Sequence, residues 1–215
     1  ADHDPINPAW EDRDRIIWST GHKAPSLYLG LAFAGFCPLE DVALLRKLGS
    51  PYQGHPHSLK LPGVEVSTGS LGQGLSIAVG IALAGKLNQK SYTTFCIMGD
   101  GEQQEGQIWE AAMEAGHYKL NNLVGIIDTN RLQIDGWVKD VMNVEPLSDK
   151  YSSFGWNVLR IDGHDMTQIV EALGKARTMA EGPTVIIADT IKGKGVSFIE
   201  NVAGWHGKSP NLGEM

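Results

Sequence analysis

An alternation in the second half of the chain limits its folding options most. Short apolar runs at 92–98, 123–127, 157–161 and 184–189 are separated by stretches of helical pattern at about 103–118, 148–154 and 166–180. Runs of this length are strand-sized, and a helix-length connection between two of them forces the strands to lie parallel. The pattern predicts an α/β fold: a mostly parallel sheet with helices on both faces and right-handed crossovers. At 215 residues, positions 1–215 are expected to form a single domain.

The first half is less regular. Residues 8–17 read as a short polar helix or turn leading into Ile16-Ile17-Trp18. A helix is expected at about 25–35, where Leu27, Leu31 and Ala34 share a face. Another is expected at 38–48, where Pro38 suits a first turn and Gly49 an end. Residues 50–68 show no periodicity, and an irregular stretch of that length inside a compact domain usually serves function. A helix at 71–87 carries small residues at Gly72, Ser76, Gly80 and Ala84. Such a stripe permits close approach, either inside the domain or by another subunit. The tail 192–215 has no core pattern.

Composition removes several function classes. The net charge is -7 and no basic face is visible, which argues against nucleic acid as a partner. The longest run of apolar and small residues, 75–85, is too short to span a bilayer, and no signal peptide opens the chain, so no membrane is expected. Cys37 and Cys96 stand far apart in apolar surroundings and read as buried free thiols of a cytoplasmic protein.

Familiar catalytic motifs fail on spacing. Gly207-Lys208-Ser209 ends like a P-loop, but the position of its first glycine is Val202. Gly72-Gln73-Gly74 lacks the third glycine of a dinucleotide site. There is no Gly-x-Ser-x-Gly elbow. His55-Pro56-His57 has no Cys or acidic neighbour to complete a metal site. What survives is a pair: Asp100 in Gly99-Asp100-Gly101 and Asn130 in Asp128-Thr129-Asn130, each following an apolar run. In a parallel sheet both then stand on the carboxyl rim, where ligands bind. Oxygen ligands there suit Mg²⁺, which takes one or two carboxylates and completes its octahedron with phosphate and water. Gly101 opens a helix, whose free N–H groups suit a diphosphate. Asp100 by itself would serve equally well as a helix cap; the pair points to a magnesium-held phosphate.

Gly99-Asp100-Gly101-Glu102, Glu105-Gly106, Trp109-Glu110-Ala111, Leu120-Asn121-Asn122-Leu123 and Asp128-Thr129-Asn130 together resemble the thiamine diphosphate motif of transketolases. Upstream, Ser19-Thr20-Gly21-His22, Gly54-His55-Pro56 and the run from Pro62 to Gly74 resemble the same family. So do Lys192-Gly193-Lys194-Gly195 and Trp205-His206-Gly207 downstream. The resemblance spans nearly the whole chain, in family order.

It implies a thiamine-diphosphate-binding fold in which Asp100, Asn130 and the backbone carbonyl of Leu132 ligate Mg²⁺ and Gly101 donates its N–H to the diphosphate. His22 and His206 would lie beside the diphosphate and the sugar, and His55 would face substrate hydroxyls; the alternatives are a surface histidine in the tail for His206 and a loop-packing histidine for His55. Gly69 and Leu71 would approach the aminopyrimidine, and Ile134 would pack on the thiazolium; Leu71 and Ile134 fit an ordinary core equally well. Glu105 and Glu110 would join a carboxylate network between two cofactor sites, or else lie on a solvated helix face. The implied activity is transfer of a two-carbon ketol unit between phosphosugars, as in the pentose phosphate pathway. Two rivals are a deoxyxylulose-phosphate synthase-like enzyme and a non-catalytic cofactor-binding fragment. The family also has a pyrimidine-binding domain and a preceding segment with no counterpart in this sequence. The expectation is therefore a diphosphate-binding subunit that pairs with a pyrimidine-binding partner chain in an α2β2 heterotetramer.

Overall fold

A computed structural model describes residues 1–214. In chain order they form strand β1 (Arg15–Trp18), a 3-10 turn (Gly21–Lys23) and helix α1 (Ala24–Phe33). A second 3-10 turn (Leu39–Leu44) and a long irregular stretch lead to α2 (Gln73–Leu87) and β2 (Thr94–Gly99). A third 3-10 turn (Gly101–Gln104), α3 (Gly106–His117) and β3 (Leu123–Thr129) follow. Then come a small hairpin of β4 (Leu132–Gln133) and β5 (Gly136–Trp137), α4 (Val138–Val141) and α5 (Leu147–Ser153). The last regular elements are β6 (Asn157–Asp162), α6 (Met166–Thr178), β7 (Thr184–Asp189) and a final 3-10 turn (Ala203–Trp205).

Five strands form one sheet in the order β1-β2-β3-β7-β6, every pair parallel. Helices cover both faces, as the alternation predicts. Residues alternate across a strand, and two cores result. Cys96, Met98, Leu123 and Ile127 pack under α2, α3 and α5 through Leu75, Ile108, Ala112 and Tyr151. Phe95, Val124 and Ile186 face the other way, against Ala172 and Ala176 of α6. Each large apolar side chain fully buried here contributes about 1.5–3 kcal/mol. A satellite core joins α1 to the irregular stretch through Leu27, Tyr28, Tyr52, Leu61 and Val64.

Several expectations need correction. The sheet has a fifth strand, β1, where the sequence predicts only a turn entering Ile16-Ile17-Trp18. The helix expected at 38–48 is a 3-10 turn of six residues with none fully buried; Val42 and the following Leu45 pack only partly against the satellite core, too little to hold a longer helix down. The helix expected at 103–118 begins at Gly106; before it, Glu102 and Gln103 turn inward and break the helix into a separate turn. Cys96 is buried, but Cys37 is only half-buried. The small-residue stripe of α2 divides in two. Gly72 meets the Glu105 side chain and Ser76 bonds Gln107, whereas Gly80 has open space beside it.

Candidate functional site

Parallel strands place every β-to-loop transition on one edge. The register sets Gly99 beside Asp128 and Thr129 beside Asp189, so the ends of β2, β3 and β7 are level. The loops that leave them, with the loop after β1, enclose a cleft of about 280 Å³. Thr20, His22 and Lys23 come from β1, Asp100 and Gly101 from β2, Asn130 from β3, and Lys192 and His206 from the tail after β7. Leu71, Glu105, Leu132 and Ile134 line the same cleft.

Glu102 fixes the floor of this arrangement. Its carboxylate is 2% exposed and accepts N–H groups from Gly72 (2.8 Å) and Gly99 (3.1 Å), together with a short bond from Ser19 Oγ. Ser19 Oγ in turn accepts from Gly74 N (3.2 Å). One buried acid thus ties the start of α2 to the ends of β1 and β2. Burial raises its pKa against those bonds. At Gly72, with φ 81, an added Cβ would stand 2.7 Å from that of Glu105. Only glycine permits so close an approach in that backbone region.

Asp100 and Asn130 are 3% and 8% exposed, yet both line the cleft. Asp100 Oδ1 accepts from Gly101 N (2.8 Å), and Oδ2 takes a short bond from Arg131 N. Burial outweighs these bonds and pushes the Asp100 carboxyl up to about 6. Asn130 donates to Asp128 Oδ2 (3.4 Å), and its Oδ1 accepts from Leu132 N (3.0 Å). The Gly101 N–H must therefore share or leave its bond to Asp100 before it can serve a phosphate.

The other side of the cleft carries two lysines, Lys23 and Lys192, the first of them paired. Lys23 forms a short ion pair with Asp128, and its ammonium lies 3.8 Å from where a Cβ on Gly99 would stand. Burial alone would raise the Asp128 carboxyl, but Lys23, Thr190 Oγ1 and Asn130 together hold it below its ordinary range. The rings of His22 and His206 lie 5.4 Å apart, and Lys192 Nζ is 3.3 Å from His206 Nδ1. Desolvation first, and then the charges of His206, Lys23, His55 and Lys192, lower His22 to about 4. Desolvation, Lys192 and Lys23 lower His206 as well. Both imidazoles are therefore neutral at pH 7 and offer N–H donors rather than charge.

Other expected residues lie nearby or elsewhere. A Cβ at Gly69 would touch the His55 ring at 3.4 Å, and Thr68 and Gly69 pack directly on Gly21, so both residues adjoin the cleft beside His22. Ile134 stands at the mouth, 70% exposed. Glu105 is exposed on the rim, whereas Glu110 points from α3 into solvent outside the cleft. Lys23, Lys192, Thr20 and Asp128 are site residues that the sequence does not single out. The neighbour of a candidate histidine and the residue closing an apolar run are the available signals for Lys23 and Asp128.

The donor set fits the groups that the resemblance implies. One carboxylate, one amide oxygen and a nearby backbone carbonyl are hard oxygen ligands of the kind Mg²⁺ takes. Among the described residues no group of three or more His, Cys, Asp or Glu side chains is placed to hold a metal ion. Thr20 Oγ1 is buried in the cleft wall without a partner, an unmet hydrogen bond that a bound polar group can satisfy. No helix among the described residues is long and apolar enough to cross a membrane.

Comparison with known proteins agrees with this geometry. The family model described as "Transketolase, thiamine diphosphate binding domain" matches residues 1–214. The chain is 45% identical over 203 residues to the 6-deoxy-6-sulfo-D-fructose transketolase subunit of Clostridium sp. (strain MSTE9), covering 94% of this chain and 74% of that one. It is 45% identical over 202 residues to an apulose-4-phosphate transketolase subunit of Phocaeicola vulgatus, covering 94% and 72%. The crystal structure of transketolase from Campylobacter jejuni superposes with a TM-score of 0.89 at 39% identity. That match covers 94% of this chain but only 33% of the longer enzyme, so the chain spans about a third of it.

Proposed function

The chain belongs to the transketolase family through its thiamine diphosphate binding domain, and from that premise we propose that it is the diphosphate-binding subunit of a split transketolase. It works with a partner chain that carries the pyrimidine-binding domain, in an α2β2 assembly, and residues 1–215 act as one domain. The observation that carries this reading is the gathering of Asp100, Asn130, His22 and His206 on one rim cleft. Two features support a partner wall: both similar bacterial proteins are named as subunits, and Ile134 holds an apolar side chain open at the cleft mouth.

Each residue then has a task. Asp100, Asn130 and the Leu132 carbonyl would hold Mg²⁺, which would supply positive charge for a diphosphate. Lys192 balances phosphate charge from the opposite wall, while Lys23 is paired with Asp128. Gly101 N–H and the neutral His22 and His206 rings donate hydrogen bonds without adding charge. Gly69 and Leu71 would shape the approach of the aminopyrimidine, and Ile134 would pack on the thiazolium. His55 orients substrate hydroxyls, and Glu105 and Glu110 reach toward a second copy. When bound, the cofactor supplies a stabilised carbanion able to attack a ketose carbonyl. The protein positions that carbonyl and excludes water. Both similar proteins are named for sugars that end in an anionic group, a sulfonate or a phosphate, and we assign the substrate of this chain to the same class. Mixing the chain with a candidate partner and assaying ketol transfer tests the reading. Transfer by the chain alone, or none with any pyrimidine-domain partner, overturns it.

A further inference from the structure

The hairpin at the mouth of the cleft is thinly built. β4 and β5 pair over two residues each, and Ile134 and Asp135 at the tip are exposed. A two-stranded hairpin of that size is marginal in water by itself. Its base is secure. Leu132 is buried and its N–H donates to Asn130 Oδ1 (3.0 Å), and Val138 N donates to Arg131 O (2.9 Å). Beyond that base one side chain grips the segment 133–142. Gln104 Nε2 donates to Gln133 Oε1 (2.7 Å) and to the backbone carbonyl of Met142 (2.8 Å), one at each end of the segment. Among the described residues no other hydrogen bond joins 133–142 to the chain outside 130–142.

The other end of this clasp is rigid. Gln104 closes the 3-10 turn Gly101–Gln104. The two residues before it turn inward. Glu102 accepts from Gly72 and Gly99, and Gln103 donates to Gly99 O (3.0 Å) and accepts from the Tyr151 hydroxyl (2.8 Å). Met142 O can only accept, so Gln104 must present its NH2 group there, and both hydrogens of that group are then committed. Gln104 lines the cleft yet has no amide hydrogen left for a ligand. Gln133 lies against Gly101, where an added Cβ would meet its Cβ at 3.5 Å. The clasp thus ties the turn that carries Gly101 to the tip that carries Ile134.

We propose that Gln104 is a positioning residue: it holds the β4–β5 tip over the cleft, so that the wall for the diphosphate end and the wall for the ring end keep a fixed spacing before the cofactor arrives. The proposal rests on the reading above for what Ile134 meets. A tip that is in place only part of the time weakens binding in inverse proportion to that fraction. The two bonds are partly open to solvent, and losing both should lower the fraction about tenfold. A ligand that is only a diphosphate meets the Asp100–Gly101 side and does not need the tip. The base of the hairpin has its own bonds, so the Leu132 carbonyl stays where it is without the clasp.

Hydrogen exchange on the full chain alone is the first measurement. Gln104→Leu should speed exchange of the 133–137 amides about tenfold and leave the β3 amides as they are. Equal exchange in wild type and variant overturns the clasp. In the assembly with its partner, calorimetry at saturating Mg²⁺ then compares thiamine diphosphate with inorganic pyrophosphate. Gln104→Leu should raise Kd for thiamine diphosphate about tenfold and Gln133→Leu a few-fold, while Kd for pyrophosphate moves by less than about twofold. The double variant should bind no more weakly than Gln104→Leu, because the two changes share one bond. A general loss of structure weakens both ligands equally. That result, an unchanged Kd for thiamine diphosphate, or strictly additive losses refute the positioning role. Failure of the two readings is distinguishable. A wild-type assembly that binds no thiamine diphosphate sinks the transketolase reading, and the exchange rates still decide the clasp. Wild type and Gln104→Leu binding the cofactor alike sinks the clasp alone.

Discussion

Asp100→Asn separates the cost of a buried charge from its use. The side chain is 3% exposed, and burial raises its pKa from 3.8 to about 6. Below the lower value both folded and unfolded states are protonated and no penalty exists. As pH rises between the two values the unfolded chain ionises first, so folding loses free energy; above about 6 the loss is constant. A gap of about 2 units corresponds to about 3 kcal/mol at pH 8 and about half of that at pH 5. Asparagine carries no charge and keeps one acceptor oxygen for the two N–H groups of Arg131 and Gly101. Losing one such bond costs about 1 kcal/mol at either pH. The variant should therefore be more stable than wild type by about 2 kcal/mol at pH 8 and by only about 0.5 kcal/mol at pH 5. Urea unfolding followed by tryptophan fluorescence in EDTA measures both. A gain that is equal at the two pH values, or a loss at pH 8, refutes the burial argument. The second half of the experiment adds Mg²⁺ and thiamine diphosphate to the assembly with its partner. At a hundredfold excess over Kd the wild type should gain about 2.7 kcal/mol by mass action. The variant, stabler without ligand, should gain nothing. If it gains as much as wild type, Asp100 is not a metal ligand.

Two further outcomes follow from the cleft's charges. Lys23→Met leaves Asp128 without its counter-charge and should cost about 1–3 kcal/mol at pH 7, at the low end because the pair is partly open to solvent. Asp128 has a depressed folded pKa, so this contribution is present above its unfolded value and disappears as pH falls through the folded one; a loss of the same size at pH 3 contradicts the ion-pair account. His22, lowered to about 4, should remain neutral by NMR at pH 5.5, and His206→Phe should move its titration upward; titration near 6.5 in the wild type refutes the assigned field.

How much of this was legible in the sequence depends on which physical signal a residue carries. β2, β3, β6 and β7 announce themselves because their apolar residues recur between helix-length segments. β1 does not: it is a four-residue edge strand, Arg15–Trp18, that pairs on one side only and needs little apolar sequence. The punctuation of Pro38 and Gly49 marks a turn of helix whether or not a stripe exists to extend it, so a 3-10 turn satisfies the same signals. Asp100 and Asn130 could be placed because parallel strands fix where their ends lie. Lys23 and Lys192 could not, since their convergence depends on loops that belong to different strands and have no periodicity.

The charges in the cleft carry one more step. Lys23 is neutralised by Asp128, but Lys192 has no ion-pair partner among the described residues and Asp100 has no cation bonded to it. The two line one cleft and still do not pair with each other. Opposite charges that are free to approach in a partly desolvated site attract by several kcal/mol at an effective dielectric near 20. Keeping them apart therefore needs the rigidity that the surroundings provide: the Arg131 and Gly101 N–H bonds on Asp100, and the contact of Lys192 with His206. A separation of that kind suits a ligand that is itself dipolar, with a cation at one end for the carboxylate and an anion at the other for the ammonium. A lone phosphate would leave Asp100 unsatisfied, and a lone divalent ion would leave Lys192 so. The magnesium-bound diphosphate proposed above would answer both.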